Sequence, residues 1–231
     1  MKMQWKIGNV EIPNPFVLAP MAGVTDLAFR RLCKEQGAGL ICMEMVSAKA
    51  ISFHNKNTEA LMEINPGEHP VSMQLFGSEP DLMAEVAKSI EERPFDILDI
   101  NMGMNGIDEK EMMVKVIKAL QAIVDVPLQI DSTKPEVLEA ALRVYNGKPI
   151  VNSVNGEEEV LDTILPIVAK YGGAVIGLAL DENGIPPTAE GRVEIAKRIR
   201  DKAMSYGIPK EDIIIDCLTL TVSAEQKAAA E

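Results

Sequence analysis

The stretch "FDILDINMGMNGIDEKEMM", residues 95–113, places an apolar run directly against a loop and a helix-like segment. Ile97, Leu98 and Ile100 surround Asp99 and Asn101 without strict alternation. That is how a parallel strand covered on both faces reads. A strand that hands the chain to a helix is the repeating unit of parallel α/β folds.

The same unit recurs on either side. The other apolar runs are "PFVLAPMAG", "GLICMEMV", "PVSMQLFG", "VPLQIDST", "KPIVNSVNG", "AVIGLALD" and "DIIIDCLTL". Amphipathic segments with start and stop signals lie between them. Thr25 or Asp26 caps "LAFRRLCKEQG", which stops at Gly37. Ser78 with Pro80, and Ser132 or Thr133 with Pro135, open two more, the second closing at Gly147. Another runs from Thr188 to Gly207. Eight evenly spaced repeats predict a single (β/α)8 barrel, with a doubly wound sheet as the alternative. "MQWKIGNVEI" predicts a hairpin turning at Gly8-Asn9 that plugs the barrel bottom. After "DCLTLTV" only "SAEQKAAAE" remains, so helix eight is expected to be short or missing. An uncovered apolar groove between helices seven and one would then favour self-association.

Bulk composition excludes several classes. The chain has 231 residues, 47% of them hydrophobic, and a formal net charge of -12. Acidity is spread along its length, and aromatics are only 4%, so neither a basic face nor a base-stacking platform is available for nucleic acid. No apolar run approaches a membrane span, and the first residues lack a signal-peptide stretch, so a cytosolic protein is expected. Cys33, Cys42 and Cys217 are spaced for neither a disulfide framework nor a zinc ribbon, and no metal is expected. His54 and His69 precede the third strand and read as loop or surface residues.

In a barrel, chemistry sits at the carboxyl ends of the strands. Those ends carry Met21-Ala22-Gly23, Glu44, Gln74, Asp99, Asn101, Asp131, Asn152, Asn155, Asp181 and Asp216. Acids and amides suit the N–H groups of a nitrogen heterocycle and suit phosphate poorly. Strand-end aspartates also cap helices and turns, a role open to Asp131.

Residues 4–103 resemble the N-terminal part of bacterial tRNA-dihydrouridine synthases, which are FMN-dependent barrels. The stretches that carry the likeness are "IGNVEIPNPFVLAPMAGVTDLAFRRLCKEQGAGL", "EMVSAKA", "PVSMQLFGSEPDLMAEVA" and "FDILDINMG". The resemblance implies flavin contacts from Pro20, Met21, Ala22 and Gln74. It also implies a proton-donating Cys after "DINMG", where this chain has Met104, whose thioether has no acidic proton. Gln129 stands where a Lys is implied.

Residues 101–226 resemble methyltetrahydrofolate:corrinoid methyltransferases, which are pterin-binding barrels. "NGIDEKEMMVKVIKALQAIVDVPLQIDSTKPEVLEAALRVYNGKPIVNSVNGEEE", "YGGAVIGLALDENGIPPTAEGRVEIAKRI" and "GIPKEDIIIDCLTLTVSAEQ" carry it. It implies pterin contacts from Asp131, Asn152 and Asp216, with Asn101 beside them.

Together the two resemblances imply one barrel domain over 1–231, with strands one to four in 1–103 and five to eight in 104–231. A crossover inside a barrel that keeps the strand count implies deliberate recombination, because natural fusions join whole domains at linkers. The expectation is a chimera without intact native activity and with no resident cofactor. Weak FMN or methyltetrahydrofolate binding, or methyl transfer, are the alternatives. At the seam, Phe16, Leu18, Met43, Met45, Met73 and Leu75 are expected to meet Leu128, Ile130, Val151 and Ile215 inside the barrel.

Overall fold

The computed structural model describes residues 5–102 and 108–218. Strand and helix alternate through them in the order of a (β/α)8 barrel. The chain divides into two compact units at Ile150/Val151. The boundary is not at 103/104, where the resemblances change over. The residues that follow that changeover, up to Ile150, belong to the same compact unit as those that precede it.

The first unit opens with the expected hairpin. Strands β1 (Trp5–Ile7) and β2 (Val10–Ile12) pair antiparallel around Gly8, which holds a positive φ of 57°. A Cβ on Gly8 would lie 2.9 Å from Pro127 Cγ, so the hairpin turn sits tight against the segment that leads into β8 (Leu128–Asp131). This agrees with its expected place at the amino ends of the strands.

Strand β3 (Val17–Leu18) leads to α1 (Leu27–Glu35), which Asp26 caps through the Phe29 amide. Next come β4 (Leu40–Cys42), β5 (Val46–Ser47), α2 (Ala48–Ser52) and α3 (Lys56–Leu61). The single run "GLICMEMV" thus yields two strands separated by Met43–Met45. Then follow β6 (Val71–Phe76), α4 (Pro80–Ile90), β7 (Ile97–Asn101), α5 (Glu109–Leu120), β8 and α6 (Pro135–Val144). The strands run parallel in the order β3-β4-β6-β7-β8, with β5 also paired to β6.

The seam lies between β7 and β8, and the sheet continues through it. Leu98, Asp99, Ile100 and Asn101 stand level with Leu128, Gln129, Ile130 and Asp131. Outside the sheet, α4 packs on α5 and α5 on α6. The apolar faces that do this are Met83, Val86, Ala87 and Ile90 on α4, and Met113, Val116, Ile117 and Leu120 on α5. Two expected core positions are corrected. Phe16 is 71% exposed and Met45 42% exposed, because each lies just outside its strand where alternation no longer turns it inward. Leu18 and Ile215 are partly exposed, while Met43, Met73, Leu75, Leu128, Ile130 and Val151 are buried as expected.

Helix starts follow the sequence signals with two shifts. Glu79 and Lys134, rather than the preceding hydroxyl residues, occupy the cap positions of α4 and α6, with Pro80 and Pro135 in the first turn. Ser132 still serves its helix, accepting the Lys134 amide at 3.2 Å. Helix α6 stops at Val144, and Tyr145 then folds back so that its hydroxyl accepts the Leu128 amide at 3.1 Å. Tyr145→Phe strands that amide at the edge of the seam strand. It should cost about 1–3 kcal/mol in denaturant-induced unfolding.

Strand β9 (Ile150–Val154) begins on the last residue of the first unit, and α7 (Glu158–Tyr171), β10 (Ala174–Leu178), α8 (Ala189–Ser205) and β11 (Ile213–Asp216) follow in turn in the second. The strand order is β9-β10-β11. Helix α7 ends at Gly172 in the left-handed region, and Thr188 caps α8 as its sequence predicts. Helix α8 approaches β10 so closely that a Cβ on Gly177 would come within 2.7 Å of Ile199. The expected stub of helix eight, at Ser223–Gln226, lies outside the described residues.

Candidate functional site

The first unit gathers amides and acids from three neighbouring strands at their carboxyl ends. Gln74, Asp99 and Gln129 form one row across β6, β7 and β8, and Asn101 and Asp131 form the row above. The side chains do not simply face their row neighbours. Gln74 Nε2 donates across to Asp131 Oδ2 at 3.1 Å, and Asn101 Nδ2 donates to the same oxygen at 2.9 Å. Gln129 Nε2 donates to Asp99 Oδ2 at 2.7 Å. Each carboxylate is therefore held by an amide from the other side of the 103/104 changeover.

Burial sets the electrostatics. Asp99 is 2% exposed, and its Oδ1 is sealed from solvent without a hydrogen-bond partner. Burial, then the nearby Asp131 charge, push its carboxyl well above the usual carboxylate range, against the pull of the Gln129 bond and of the Ile100 amide. Gln74 also favours the charged form of Asp99 by proximity, although its amide hydrogen bond goes to Asp131. Asp131, half-buried, is raised by burial and by the Glu109 charge, while Asn101 and Gln74 oppose the rise.

A second set of contacts anchors the loop after Asp131. Glu109, at the start of α5, accepts from Ser132 Oγ at 2.6 Å and pairs with Lys134 Nζ at 2.7 Å. Sequence reasoning did not single out Glu109. The signal was there: an acid opening α5 and a hydroxyl and a cation just past β8.

The flavin-like residues divide. Pro20, Met21 and Ala22 form the turn after β3, Pro20 and Ala22 exposed and Met21 half-buried. Buried Thr25 ties that turn, its hydroxyl bonding both the amide and the carbonyl of Met21 at 2.7 and 2.8 Å. Gln74, from the same expected set, instead joins Asp131 and Asn101, two of the pterin-like residues. Met104 lies outside the described residues.

The remaining pterin-like residues belong to the second unit. Asn152 is half-buried on β9, and its peptide bond to Ser153 is cis. Asp216 ends β11, and its Oδ1 accepts the Leu218 amide at 2.8 Å in a local turn. Asp181 likewise serves a local turn, accepting the Asn183 amide at 3.0 Å, and it also meets Arg198 at 3.4 Å. Asn155 and Glu157 bond each other at 2.9 and 3.0 Å. Among the described residues no group of three His, Cys, Asp or Glu side chains is placed to hold a metal, and no helix is long and apolar enough to cross a membrane.

Comparison with known proteins gives two families on one chain. The dihydrouridine synthase family model matches residues 17–104, and the pterin binding enzyme model matches residues 64–230. Their overlap, 64–104, is wider than the "LDINMG" stretch where the two likenesses meet, and it contains β6, α4 and β7. Methionine synthase of Mycobacterium leprae is 35% identical over 132 residues, covering 54% of this chain and 11% of that protein. tRNA-dihydrouridine synthase B of Pseudomonas aeruginosa is 35% identical over 138 residues, covering 54% of this chain and 41% of that protein. The chain thus spans less than half the length of either relative.

Among solved structures, a Yersinia pestis DHPS with a pterine-sulfa conjugate superposes with a TM-score of 0.55 at 17% identity, covering 70% of this chain and 64% of that one. Dihydropteroate synthase from Stenotrophomonas maltophilia gives 0.54 at 23% identity, covering 70% and 66%. These likenesses carry the fold, a (β/α)8 barrel of the TIM type.

Proposed function

Given that the chain belongs to the pterin binding enzyme family, we propose that it is a recombined scaffold: one barrel domain over residues 1–231, engineered by joining dihydrouridine-synthase-like strands to pterin-enzyme-like strands, and without intact activity of either kind. The observation that carries this reading is the crossed pairing of Gln74 with Asp131 and of Gln129 with Asp99. Gln74, the side chain expected to reach a flavin, is committed to a pterin-like carboxylate. Asp131, expected to accept from a pterin ring, already receives two amide protons on one oxygen.

The chemistry of the residues points the same way. Met104 supplies no proton where the dihydrouridine-synthase likeness implies a thiol. A catalytic constellation needs all of its groups held within about half an ångström, and neither set of implied residues is complete. If FMN were bound, Pro20, Met21 and Ala22 would line it while Gln74 would first have to leave Asp131. FMN would supply hydride chemistry, and this chain's residues would supply only part of its cradle.

Residual pterin binding is the second reading. Asn101 and Asp131, already oriented toward each other at the strand ends, favour it. An ionised Asp131 would accept from ring N–H and amino groups.

The test uses the purified full chain. Its visible spectrum should show no flavin after incubation with FMN and desalting. Calorimetry with methyltetrahydrofolate should give a dissociation constant of about 1 mM or weaker, corresponding to roughly 4 kcal/mol or less. Steady-state dihydrouridine formation or methyl transfer above background would overturn the proposal. Micromolar pterin binding without turnover would favour the second reading.

A further inference from the structure

We propose that Asp99 is a buried proton-binding site: at neutral pH it is the neutral acid, protonated on Oδ1, and its ionisation destabilises the first compact unit. The geometry leaves little else. Oδ2 receives the Gln129 amide proton at 2.7 Å, so that oxygen is an acceptor. Oδ1 is sealed from water and unpartnered, which makes it the place for a proton. Among the described residues of β6, β8, α4 and α5 no buried cation is placed to neutralise it. Strand β6 contributes Gln74 and has no titratable residue, and β8 contributes Asp131, itself an acid. The buried residues of α4 are apolar, and those of α5 are apolar except Glu109, a third acid. Lys134, just past β8, pairs with Glu109 at 2.7 Å. A buried carboxylate without a cation is costly enough that such groups neutralise instead. Burial and the Asp131 charge both push the Asp99 carboxyl upward, in keeping with this geometry.

The sign of the consequence follows from linkage. Native Asp99 holds its proton to a higher pH than the unfolded carboxyl, whose pKa is about 3.9. The native state therefore binds more protons above that value, and stability falls as pH rises. The contribution is fully present below the unfolded value and is lost as pH climbs through the raised native value. Groups shifted the other way, such as Asp162 beside Lys202, act oppositely, so the readout must be a difference between variants.

The infrared spectrum of the folded wild type at pH 7 should show the carbonyl band of a protonated carboxylic acid, lost on denaturation and absent from Asp99→Asn. Over the pH window, the wild-type folding equilibrium constant should fall by up to about tenfold per pH unit relative to Asp99→Asn, as one proton requires. If Asp99→Asn does not fold, Asp131→Asn decides: its band should persist, though to a lower pH than in the wild type, because Asp99 remains but has lost the neighbouring charge. No such band in the wild type at pH 7, or its absence from Asp131→Asn at every pH down to about 5, where an ordinary carboxyl is ionised, overturns the proposal. Parallel stability profiles for wild type and Asp99→Asn do so as well.

Discussion

Replacing Arg30 by methionine should lower the unfolding free energy by about 3–5 kcal/mol, the cost of leaving one partner of a buried ion pair uncompensated. Arg30 is fully buried on α1. Its Nε lies 3.3 Å from Glu68 Oε1, and its Nη atoms donate to the carbonyls of Thr25, Leu61 and Glu63. Glu68 is buried too and accepts the Asn65 amide at 2.8 Å. Methionine roughly fills the space but returns no donor, so Glu68 and three carbonyls lose their partner together. The double variant Arg30→Met/Glu68→Gln should recover part of the loss, because the stranded charge is gone. Denaturant titration at fixed pH measures both. The effect reaches the site as well, since the Thr25 carbonyl held by Arg30 belongs to the residue that pins Met21.

Ile130→Ala should cost about 2–5 kcal/mol, and the cost should depend on Ile100. The two isoleucines are fully buried and stand level across the β7–β8 ladder, one from each side of the changeover. In a shared core, truncating either leaves a cavity that the other lines. The single and double variants should then show a coupling energy of about 0.5–3 kcal/mol. Additive losses would mean that the two strands pack independently.

The fold was legible because its strands are continuous apolar runs and its helices carry explicit punctuation. Asp26, one of the two candidates, and Thr188 cap their helices, and Gly37 and Gly207 stop helices at positive φ. The shortfalls have physical causes. Met43–Met45 reads as strand on composition, yet the chain leaves the ladder after Met43, whose amide still bonds the Ser72 carbonyl at 2.9 Å, and Met45 turns outward. Ser78 and Ser132 look like caps, but proline in the first turn shifts each helix start by one or two residues.

The site was legible in residue type and not in pairing. Gln74, Asn101 and Asp131 could each be placed at a strand end from the spacing alone. That Gln74 reaches diagonally to Asp131 depends on strand register, which a period of two leaves open. The partnership of Asp99 with Gln129 was hidden for the same reason.

The central claim is that strands of two ancestries form one cooperative unit across the 103/104 changeover. Native-state hydrogen exchange on the full chain tests it most directly. The amides of β6, β7 and β8 should open together with a single free energy, and Ile130→Ala should lower protection equally in all three. Protection that stays high in β6 and β7 while β8 exchanges through a separate, easier opening would contradict it.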